Sequence, residues 1–236
     1  DTLGEKSWEK SESMLQKKTA LLALEKAKLQ QSDIDYIIAG DLLNQSVGAH
    51  YSVRDFDIPF LGLYGACSTM TESMSIGSMI VSAGFADYAM CLTSSHFCSS
   101  EIQFRNPLEY GGQRTPSAQW TVTGAGCAIL SSKGTGPKIT HVTTGKVIDK
   151  GETDISNMGA AMAPAAIDTL IAHFNDTHRT PDYYDMILTG DLGVVGSDIL
   201  VELMLKEGFD IRTKHKDCGK MIFDIEEEDV HEGCSG

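Results

Sequence analysis

Hydrophobic residues near the start of the chain recur at helical spacing. Over residues 7–29 they alternate with Lys and Glu, and no Gly or Pro interrupts the run, which predicts a long amphipathic helix. Residues 36–39 are apolar and partly β-branched, and Gly40 and Asp41 follow them. This pattern is typical of a buried parallel strand, so a helix leads into a strand.

The same plan recurs 150 residues further along the chain. A helix-like stretch over residues 160–174 precedes residues 185–193, and five of these nine positions are identical to residues 35–43. A match this short can arise by chance. The shared order of helix, strand and terminal Gly-Asp nevertheless favours two related α/β halves. We assign residues 1–150 to the first half and residues 151–236 to the start of the second.

The region between the two copies predicts the remainder of a mixed sheet. Strands over residues 59–64 and 88–93 flank a helix over residues 69–86, as in a βαβ unit. Residues 118–132 and 138–148 alternate and are rich in β-branched side chains, which predicts two antiparallel strands joined by a glycine-rich turn.

The longest segment without a periodic pattern covers residues 97–117. It contains two prolines and two glycines, at positions 107, 111, 112 and 116. Irregular segments of this length in compact domains usually carry function. We therefore expect binding residues within it.

Composition and charge narrow the function. The 236 residues are 42% hydrophobic and carry a formal net charge of −14, so the chain can bury a globular core but repels nucleic acid and anionic lipid headgroups. No apolar run approaches the roughly 18 residues that span a bilayer, and the first residues lack both an initiator Met and a secretory signal. We expect an intracellular protein whose natural sequence extends beyond both ends.

The six cysteines do not predict a crosslinked or metal-binding protein. In 236 residues they are too dilute for a disulfide scaffold, so they are expected to be thiols. None is spaced as in a zinc site. Residues 224–229 contain five carboxylates, a density typical of a solvated surface element.

Cys67 has the sharpest chemical signal in the sequence. It follows a predicted strand that ends on small residues, and it immediately precedes the helix predicted over residues 69–86. The positive end of a helix dipole favours a thiolate, so this position suits a nucleophile. A small hydrophobic residue at a tight turn is the alternative, with equal weight.

This cysteine at the start of a small-residue helix, together with the glycine-containing strand near residue 124, resembles the condensing enzymes of the thiolase superfamily, especially the ketoacyl-synthase III type. A closer similarity is to the SpoVAD family, thiolase-like stage V sporulation proteins of spore-forming bacteria. The similarity implies a thiolase-like α/β fold of two related halves with mixed five-stranded sheets around buried helices, here truncated at both ends. The stretches that carry it are 39–45 (AGDLLNQ), 62–69 (GLYGACST), 109–113 (EYGGQ), 118–126 (AQWTVTGAG) and 157–166 (NMGAAMAPAA).

The resemblance also indicates what this chain lacks. Condensing enzymes of this type pair the cysteine with a histidine after the strand that corresponds to residues 186–189, where this chain has Gly190 and Asp191. Their asparagine, in a later glycine-rich turn, would fall at or beyond Gly236. Loss of a general base or an oxyanion donor lowers a condensation rate by roughly 10²-fold or more each. We therefore expect a ligand-binding relative of an enzyme, with Cys67 as a vestigial nucleophile.

Two alternatives stay open. One is an acyltransferase that uses Cys67 as nucleophile on an acyl-CoA thioester, and the other is a scaffold whose pocket is inert and whose surface recruits partners. Because the ligand-binding function and the acyltransferase both involve Cys67, the presence of this residue does not distinguish between them.

The SpoVAD resemblance implies binding of dipicolinic acid, pyridine-2,6-dicarboxylate, or of its calcium complex during uptake into the developing spore. It also implies a homodimer, other spore membrane proteins of the same uptake system as partners, and a peripheral position at the spore inner membrane. It implies no resident cofactor, metal or nucleic acid, and calcium would be present only as part of the ligand complex.

A flat aromatic dianion requires hydrogen-bond donors at both carboxylates. Arg105 and Arg114, in the irregular segment, are candidates for this role, with surface ion pairing as the alternative. Both are among only five arginines in the chain.

The predicted strand ends add further candidates, because ligands bind at the carboxyl ends of parallel strands. Ser95 and His96 end one strand, and a histidine without a ligand role is the alternative there. Asp41 and Asp191, equivalent in the repeat, are candidates to orient donors or to hold calcium, although caps of the following turns explain them more simply. The full set of ligand-binding candidates is Asp41, Cys67, Ser95, His96, Arg105, Arg114 and Asp191.

Overall fold

The computed structural model of the chain describes residues 2–104 and 114–235. The described residues divide into two compact units. Unit 1 contains residues 2–104 and 121–140, and unit 2 contains residues 114–120 and 141–235. Each unit combines helices and strands, as the predicted α/β class requires.

Unit 1 is built on a four-stranded mixed sheet. Its elements are α1 (Trp8–Ala27), β1 (Tyr36–Gly40), α2 (Val47–Val53), β2 (Phe60–Gly62), α3 (Thr69–Ser82), β3 (Tyr88–Ser95), α4 (Phe97–Phe104), β4 (Trp120–Thr121), which begins in unit 2, and β5 (Gly124–Ser131). The strand order is β2-β1-β3-β5. The first three strands are parallel and β5 is antiparallel to β3, which confirms the predicted mixed sheet and its βαβ connections.

Helices cover both faces of this sheet. Successive residues of a strand point to opposite faces, so Ile37 of β1 packs with Leu24 of α1, whereas Ile38 packs with Val81 of α3. With both faces covered by helices, the carboxyl ends of β1, β2 and β3 and the loops that follow them meet at one edge. In parallel sheets this edge is the usual place for a ligand.

Helix α1 agrees with the prediction, but its buried face is apolar only in its second half. It begins after Ser7, whose Oγ accepts a hydrogen bond from the Lys10 amide, 3.3 Å away. Trp8 and Leu22 stay 37% and 49% exposed. The side chains that α1 buries are Ser11, Glu12, Gln16, Ala20 and Leu24.

Unit 2 contains a pair of helices packed over a short parallel sheet. Its elements are α5 (Met158–Thr177), β6 (Ile187–Thr189), α6 (Gly193–Lys206), β7 (His215–Asp217), α7 (Cys218–Met221) and β8 (Cys234–Ser235). β6 and β7 are parallel. Phe174, Leu200 and Met204 lie at the centre of the core. The predicted helix before the strand at 187–189 is confirmed as α5.

Helices α5 and α6 approach each other closely at two glycines. A Cβ atom added to Gly159 would lie closer than 3.0 Å to the carbonyl oxygen of Leu192 and 2.9 Å from the amide nitrogen of Gly196. Side chains larger than hydrogen would therefore push the two helices apart. Within the described part of the chain, no helix is both long and apolar enough to cross a membrane.

One of the predicted strands is not formed. Among residues 2–104 and 114–235, the sheet of unit 1 has four strands and the sheet that contains β6 has two. Residues 138–148 form no strand, although they alternate. The Thr143 hydroxyl instead lies 2.7 Å from His173 Nδ1 of α5, and Val147 is 98% exposed, so the apolar side chains of this segment have no common face to bury.

The irregular segment also differs from the prediction. Residues 97–104 form helix α4, because the prolines and glycines that indicated a loop all follow this stretch. The Ser100 amide donates to the His96 carbonyl oxygen at 3.0 Å, which begins the helix directly after β3.

Candidate functional site

Cys67 lies at the carboxyl edge of the unit 1 sheet, in the turn between β2 and α3. A single 3-10 turn over Ala66–Ser68 leads directly into α3, and Ala66 adopts a left-handed conformation with φ of 49°. The thiol is half-buried. Glu72, in the first turn of α3, has the sign that stabilises a helix N-terminus. The cysteine thus lies between a strand and the start of a helix, as its sequence context predicts.

Three exposed polar residues form a hydrogen-bonded chain at the same edge. Asn44 follows β1, Tyr64 follows β2, and Gln103 lies in the last turn of α4. The Tyr64 hydroxyl donates to Asn44 Oδ1 at 3.3 Å. The backbone amide of Asn44 donates to Gln103 Oε1 at 2.9 Å. We call Asn44, Tyr64 and Gln103 the strand-end rim.

The strand-end rim favours anionic ligands. The side-chain carbonyl oxygens of Asn44 and Gln103 accept hydrogen bonds within the protein, so each amide turns its NH₂ group, which can only donate, toward other acceptors. Sequence reasoning missed these residues, because neutral polar side chains in loops carry no periodic signal.

The carboxylate of Asp41 binds backbone amides. Its Oδ1 accepts from the Leu43 amide at 2.7 Å, and its Oδ2 accepts from the Ala49 amide at 2.5 Å. Asp41 is only 1% exposed, and burial raises the pKa of its carboxyl group while the two amides oppose this shift. These contacts are those of the capping alternative, and a cation at Asp41 would have to compete with them.

Ser95 and His96 are buried at the end of β3. The Ser95 hydroxyl donates to the Val122 carbonyl oxygen at 2.7 Å. The His96 side chain is 1% exposed, and burial lowers the pKa of its imidazole. His96 is therefore neutral at neutral pH, and a ligand reaches it only if the covering residues move.

A buried carboxyl group of α1 lies beside these strand ends. Glu12 is fully buried, its Oε2 accepts from Ser99 Oγ at 2.8 Å, and its Oε1 accepts from Ser94 Oγ at 3.2 Å. One helical turn further, Gln16 Nε2 donates to the Gly40 carbonyl oxygen at 2.9 Å. Polar side chains of α1 thus connect to the ends of β1 and β3 and to the first turn of α4.

Burial raises the pKa of Glu12 to about 7, and the charge of Asp41 adds to this shift while the serine hydroxyls oppose it. Sequence reasoning missed Glu12, although a signal exists. A spacing of four places Glu12 and Gln16 on the helix face of Ala20 and Leu24, which indicates burial once those apolar residues are assigned to the core.

In unit 2, a carboxylate of β7 receives the amides at the start of α6. Asp217 Oδ1 accepts from the Leu192 amide at 3.1 Å, and Asp217 Oδ2 accepts from the Gly193 amide at 2.9 Å. Asp217 is 2% exposed. Sequence reasoning missed it, because β7 is too short to show a pattern.

Asp191 does not reproduce the contacts of Asp41. Its backbone is left-handed with φ of 60°, its carbonyl oxygen accepts from Gln119 Nε2 at 2.6 Å, and the Cys234 thiol lies 3.8 Å from its Oδ1. The two aspartates therefore align in sequence but differ in their contacts.

Gly190 directly follows β6, where the resemblance to condensing enzymes predicts a missing histidine. A different imidazole lies nearby, because His215 Nε2 of β7 is 2.8 Å from Thr189 Oγ1. Thr189 donates its hydroxyl proton to Asp217 Oδ1 at 2.7 Å, so it accepts from His215. Burial lowers the pKa of His215, and its contact with Thr189 places it in the hydrogen-bond network that fixes the start of α6.

The two candidate arginines have different outcomes. In unit 2, the Arg114 guanidinium stacks 4.2 Å from the centroid of a Trp120 ring, and its Nη1 donates to the Gln119 carbonyl oxygen at 2.7 Å. Arg105 lies outside the described residues. Across residues 2–104 and 114–235, no group of three or more His, Cys, Asp or Glu side chains is placed to hold a metal ion.

The fold is that of the thiolase-like condensing enzymes. An OleA structure of Xanthomonas campestris with bound cerulenin superposes with a TM-score of 0.63 at 15% identity, covering 90% of this chain and 66% of that one. The 3-oxoacyl-[acyl-carrier-protein] synthase III of Aquifex aeolicus gives 0.57 at 12% identity, covering 94% and 72%. The tetronic acid condensing enzyme AbyA1 gives 0.56 at 15% identity, covering 87% and 67%. At these identities the similarity shows the fold alone.

Within this class, the chain belongs to the stage V sporulation protein AD (SpoVAD) family, whose family model matches residues 1–236. The stage V sporulation protein AD of Bacillus subtilis (strain 168) is 48% identical over 232 residues, which covers 98% of this chain and 68% of that protein. The family resemblance drawn from the sequence is confirmed.

Proposed function

We propose that this chain binds pyridine-2,6-dicarboxylate, dipicolinic acid, free or as its calcium complex, for uptake into the developing spore. The observation that carries the proposal is the arrangement at the carboxyl edge of the unit 1 sheet. Cys67 and the strand-end rim lie there, and their side chains can contact a small ligand. In unit 2, the family resemblance aligns Gly190 with the histidine of condensing enzymes, and loss of that general base favours binding over condensation.

The rim has the chemistry that a dicarboxylate requires. The side-chain NH₂ groups of Asn44 and Gln103 can donate to carboxylate oxygens, and the Tyr64 ring, 58% exposed, offers an aromatic face to a pyridine ring. A resident calcium does not fit the described residues, because both Asp41 oxygens bind backbone amides and no group of three or more acidic, His or Cys side chains among them is placed to hold a metal ion. Calcium would therefore arrive with the ligand.

Isothermal titration of pyridine-2,6-dicarboxylate, with and without calcium, tests the proposal. Gln103→Glu replaces a donor with a like charge, and we expect the affinity to fall by roughly 10- to 100-fold, since a hydrogen bond to a charged group is worth about 1.5–3 kcal/mol. Gln31→Glu makes the same change at an exposed position before β1, near the opposite edge of the sheet, and should leave the affinity unchanged.

Two further variants test residues identified from the sequence. Cys67→Ala tests whether the thiol contributes to ligand binding. Arg114→Ala tests whether the guanidinium binds a carboxylate of the ligand. Absence of binding by the wild-type chain would contradict the proposal. Equal losses for Gln103→Glu and Gln31→Glu would instead show a general charge effect and reject the rim as the site.

Acyl transfer is a second candidate, because the half-buried Cys67 thiol lies directly before α3. In this reaction the sulfur attacks the thioester carbonyl, the acyl group passes to Cys67, and coenzyme A leaves as a thiol after taking the proton. Intact-protein mass spectrometry after long incubation with several acyl-CoAs tests it. An adduct absent from Cys67→Ala would support transfer, and an unmodified mass would reject it.

A further inference from the structure

Helix α4 is docked largely by polar contacts. Ser99 and Glu101 are 3% and 1% exposed, whereas Ile102 is 54% exposed. Ser99 donates to Glu12, as described above, and Thr121 Oγ1 donates to Glu101 Oε1 at 3.0 Å. A helix of eight residues is unstable by itself in water. Its position therefore depends on the hydrogen bonds that hold its buried face.

Glu12 binds the chain on both sides of His96. Ser94 precedes His96 by two residues and Ser99 follows it by three, and the two serine hydroxyls donate to different oxygens of the same carboxyl group. One helical turn after Ser99, α4 presents Gln103 to the strand-end rim. A single buried side chain of α1 thus links the end of β3, the start of α4 and, through α4, the rim.

We propose that Glu12 is a positioning residue that latches helix α4, and with it Gln103, to unit 1 in a manner that depends on its charge. The described carboxyl group has lost its water and gains only neutral hydroxyl donors, which compensate a charge poorly. Release of α4 would return it to water. Protonation of Glu12 therefore favours the docked helix, and loss of the proton weakens docking.

The surrounding charges act in the same direction. Asp41, after β1, and Glu9, on α1 itself, both raise the pKa of Glu12. Burial, the largest cause, raises the pKa of Glu12 from its ordinary value of 4.5 to about 7. Glu12 therefore gains or loses its proton close to neutral pH. The other titratable or charged residues on the elements packed against α1 are His50 and Tyr51 of α2, Arg54 directly after α2, Tyr88 and Cys91 of β3, Cys127 of β5, and Cys98 and Glu101 of α4.

Hydrogen exchange of the amides of residues 97–104, followed by mass spectrometry from pH 5 to pH 8, tests the inference. After correction for intrinsic exchange, the opening equilibrium of α4 should rise by up to tenfold per pH unit between pH 5 and pH 7 and then level off, because opening releases one proton over this range. Glu12→Gln should remove the dependence. Glu25→Gln, an exposed change on the same helix, should retain it.

Ser99→Ala provides a second variant that leaves the carboxyl group in place. It should speed exchange of residues 97–104 at every pH, and this increase should shrink when it is combined with Glu12→Gln, because both changes break the same contact. A pH dependence that persists in Glu12→Gln, or its absence in the wild-type chain, would overturn the inference.

The link between the latch and ligand binding rests on the proposed function, but the exchange measurement uses the ligand-free chain. A chain that shows the pH-dependent latch and binds no pyridine-2,6-dicarboxylate would reject the proposed function alone. A chain that binds the ligand and lacks the pH dependence would reject the latch alone.

Discussion

The Thr189 hydroxyl donates a 2.7 Å hydrogen bond to Asp217 Oδ1 and so joins the ends of β6 and β7. The same carboxylate accepts from the first amides of α6. The sequence resemblance predicts that a catalytic histidine is missing after β6, and the residues present at this strand end form a hydrogen-bond network. The region has the contacts of a structural joint.

Asp217→Asn should destabilise the protein by about 2–3 kcal/mol. An amide in place of the carboxylate loses one acceptor and leaves a buried donor unsatisfied. Thermal unfolding measures the effect. Asp191→Asn should cost less than about 1 kcal/mol, because Asn tolerates the left-handed backbone of Asp191. A larger loss of stability for Asp191→Asn than for Asp217→Asn would contradict the structural role given to Asp217.

Gly159→Ala should destabilise the protein by about 1–3 kcal/mol through overpacking between α5 and α6. Its added methyl group would meet backbone atoms of the facing helix start, which cannot rotate away. Gly190→Ala is the matched control, since a Cβ there meets no atom within 4 Å. Denaturant midpoints that fall equally for both variants would refute the close-packing argument.

The cysteines should separate into two reactivity classes. Burial raises the pKa of Cys91 to about 11 and that of Cys127 to about 12, so at pH 8 only about one thiol in a thousand or fewer is ionised. We expect iodoacetamide to leave both unmodified in the native protein. Cys67, Cys98 and Cys127 are all half-buried, so the raised pKa of Cys127 sets it apart, and Cys67 and Cys98 should be alkylated before Cys91 and Cys127. Peptide mapping before and after unfolding checks this order.

The stability of the protein should fall as the pH rises from about 4.5 to 7, through the contribution of Glu12. Its folded-state pKa of about 7 lies above the ordinary value of 4.5, so the folded state binds the proton more tightly. The contribution is complete below pH 4.5 and is lost through pH 7. The difference corresponds to about 3 kcal/mol as an order of magnitude.

Urea unfolding of the wild-type chain and of Glu12→Gln at pH 5 and pH 8 isolates this contribution. The free energy of unfolding of Glu12→Gln, measured relative to that of the wild-type chain, should be higher at pH 8 than at pH 5. Glu25→Gln, an exposed change on α1, should lose as much unfolding free energy between pH 5 and pH 8 as the wild-type chain does. The same change in unfolding free energy between pH 5 and pH 8 in all three proteins would refute the assignment of this pH dependence to Glu12.

The strands of the unit 1 sheet and helices α1 and α3 could be predicted because apolar burial decides them, whereas α2 and α4 were missed. The parallel order of β1, β2 and β3 follows from short apolar runs separated by helices, and the position of Cys67 follows from the strand-to-helix junction. Residues 138–148 show the limit of this reasoning. Alternation indicates a strand only where one face finds a partner, and the contact of Thr143 with His173 could not be read from local sequence.

The candidate site could be predicted only in part. The edge of the sheet and the position of Cys67 follow from the sequence, while the missing histidine remains a prediction from the resemblance. The rim depends on where the segments after β1 and β2 meet the last turn of α4, and Asn44 and Gln103 are 59 residues apart. The equivalence of Asp41 and Asp191 fails for a related reason, since the capping carboxylate of unit 2 comes from β7, beyond the repeated segment.

The two parts of α1 have a consequence for the order of folding. Ala20 and Leu24 belong to the apolar core and can dock by collapse, whereas Glu12 and Gln16 need acceptors and donors at strand ends that exist only once the sheet has formed. We expect the second half of the helix to be structured in the folding transition state, with high φ-values. The first two turns should then close last on refolding and open first when the protein is unfolded.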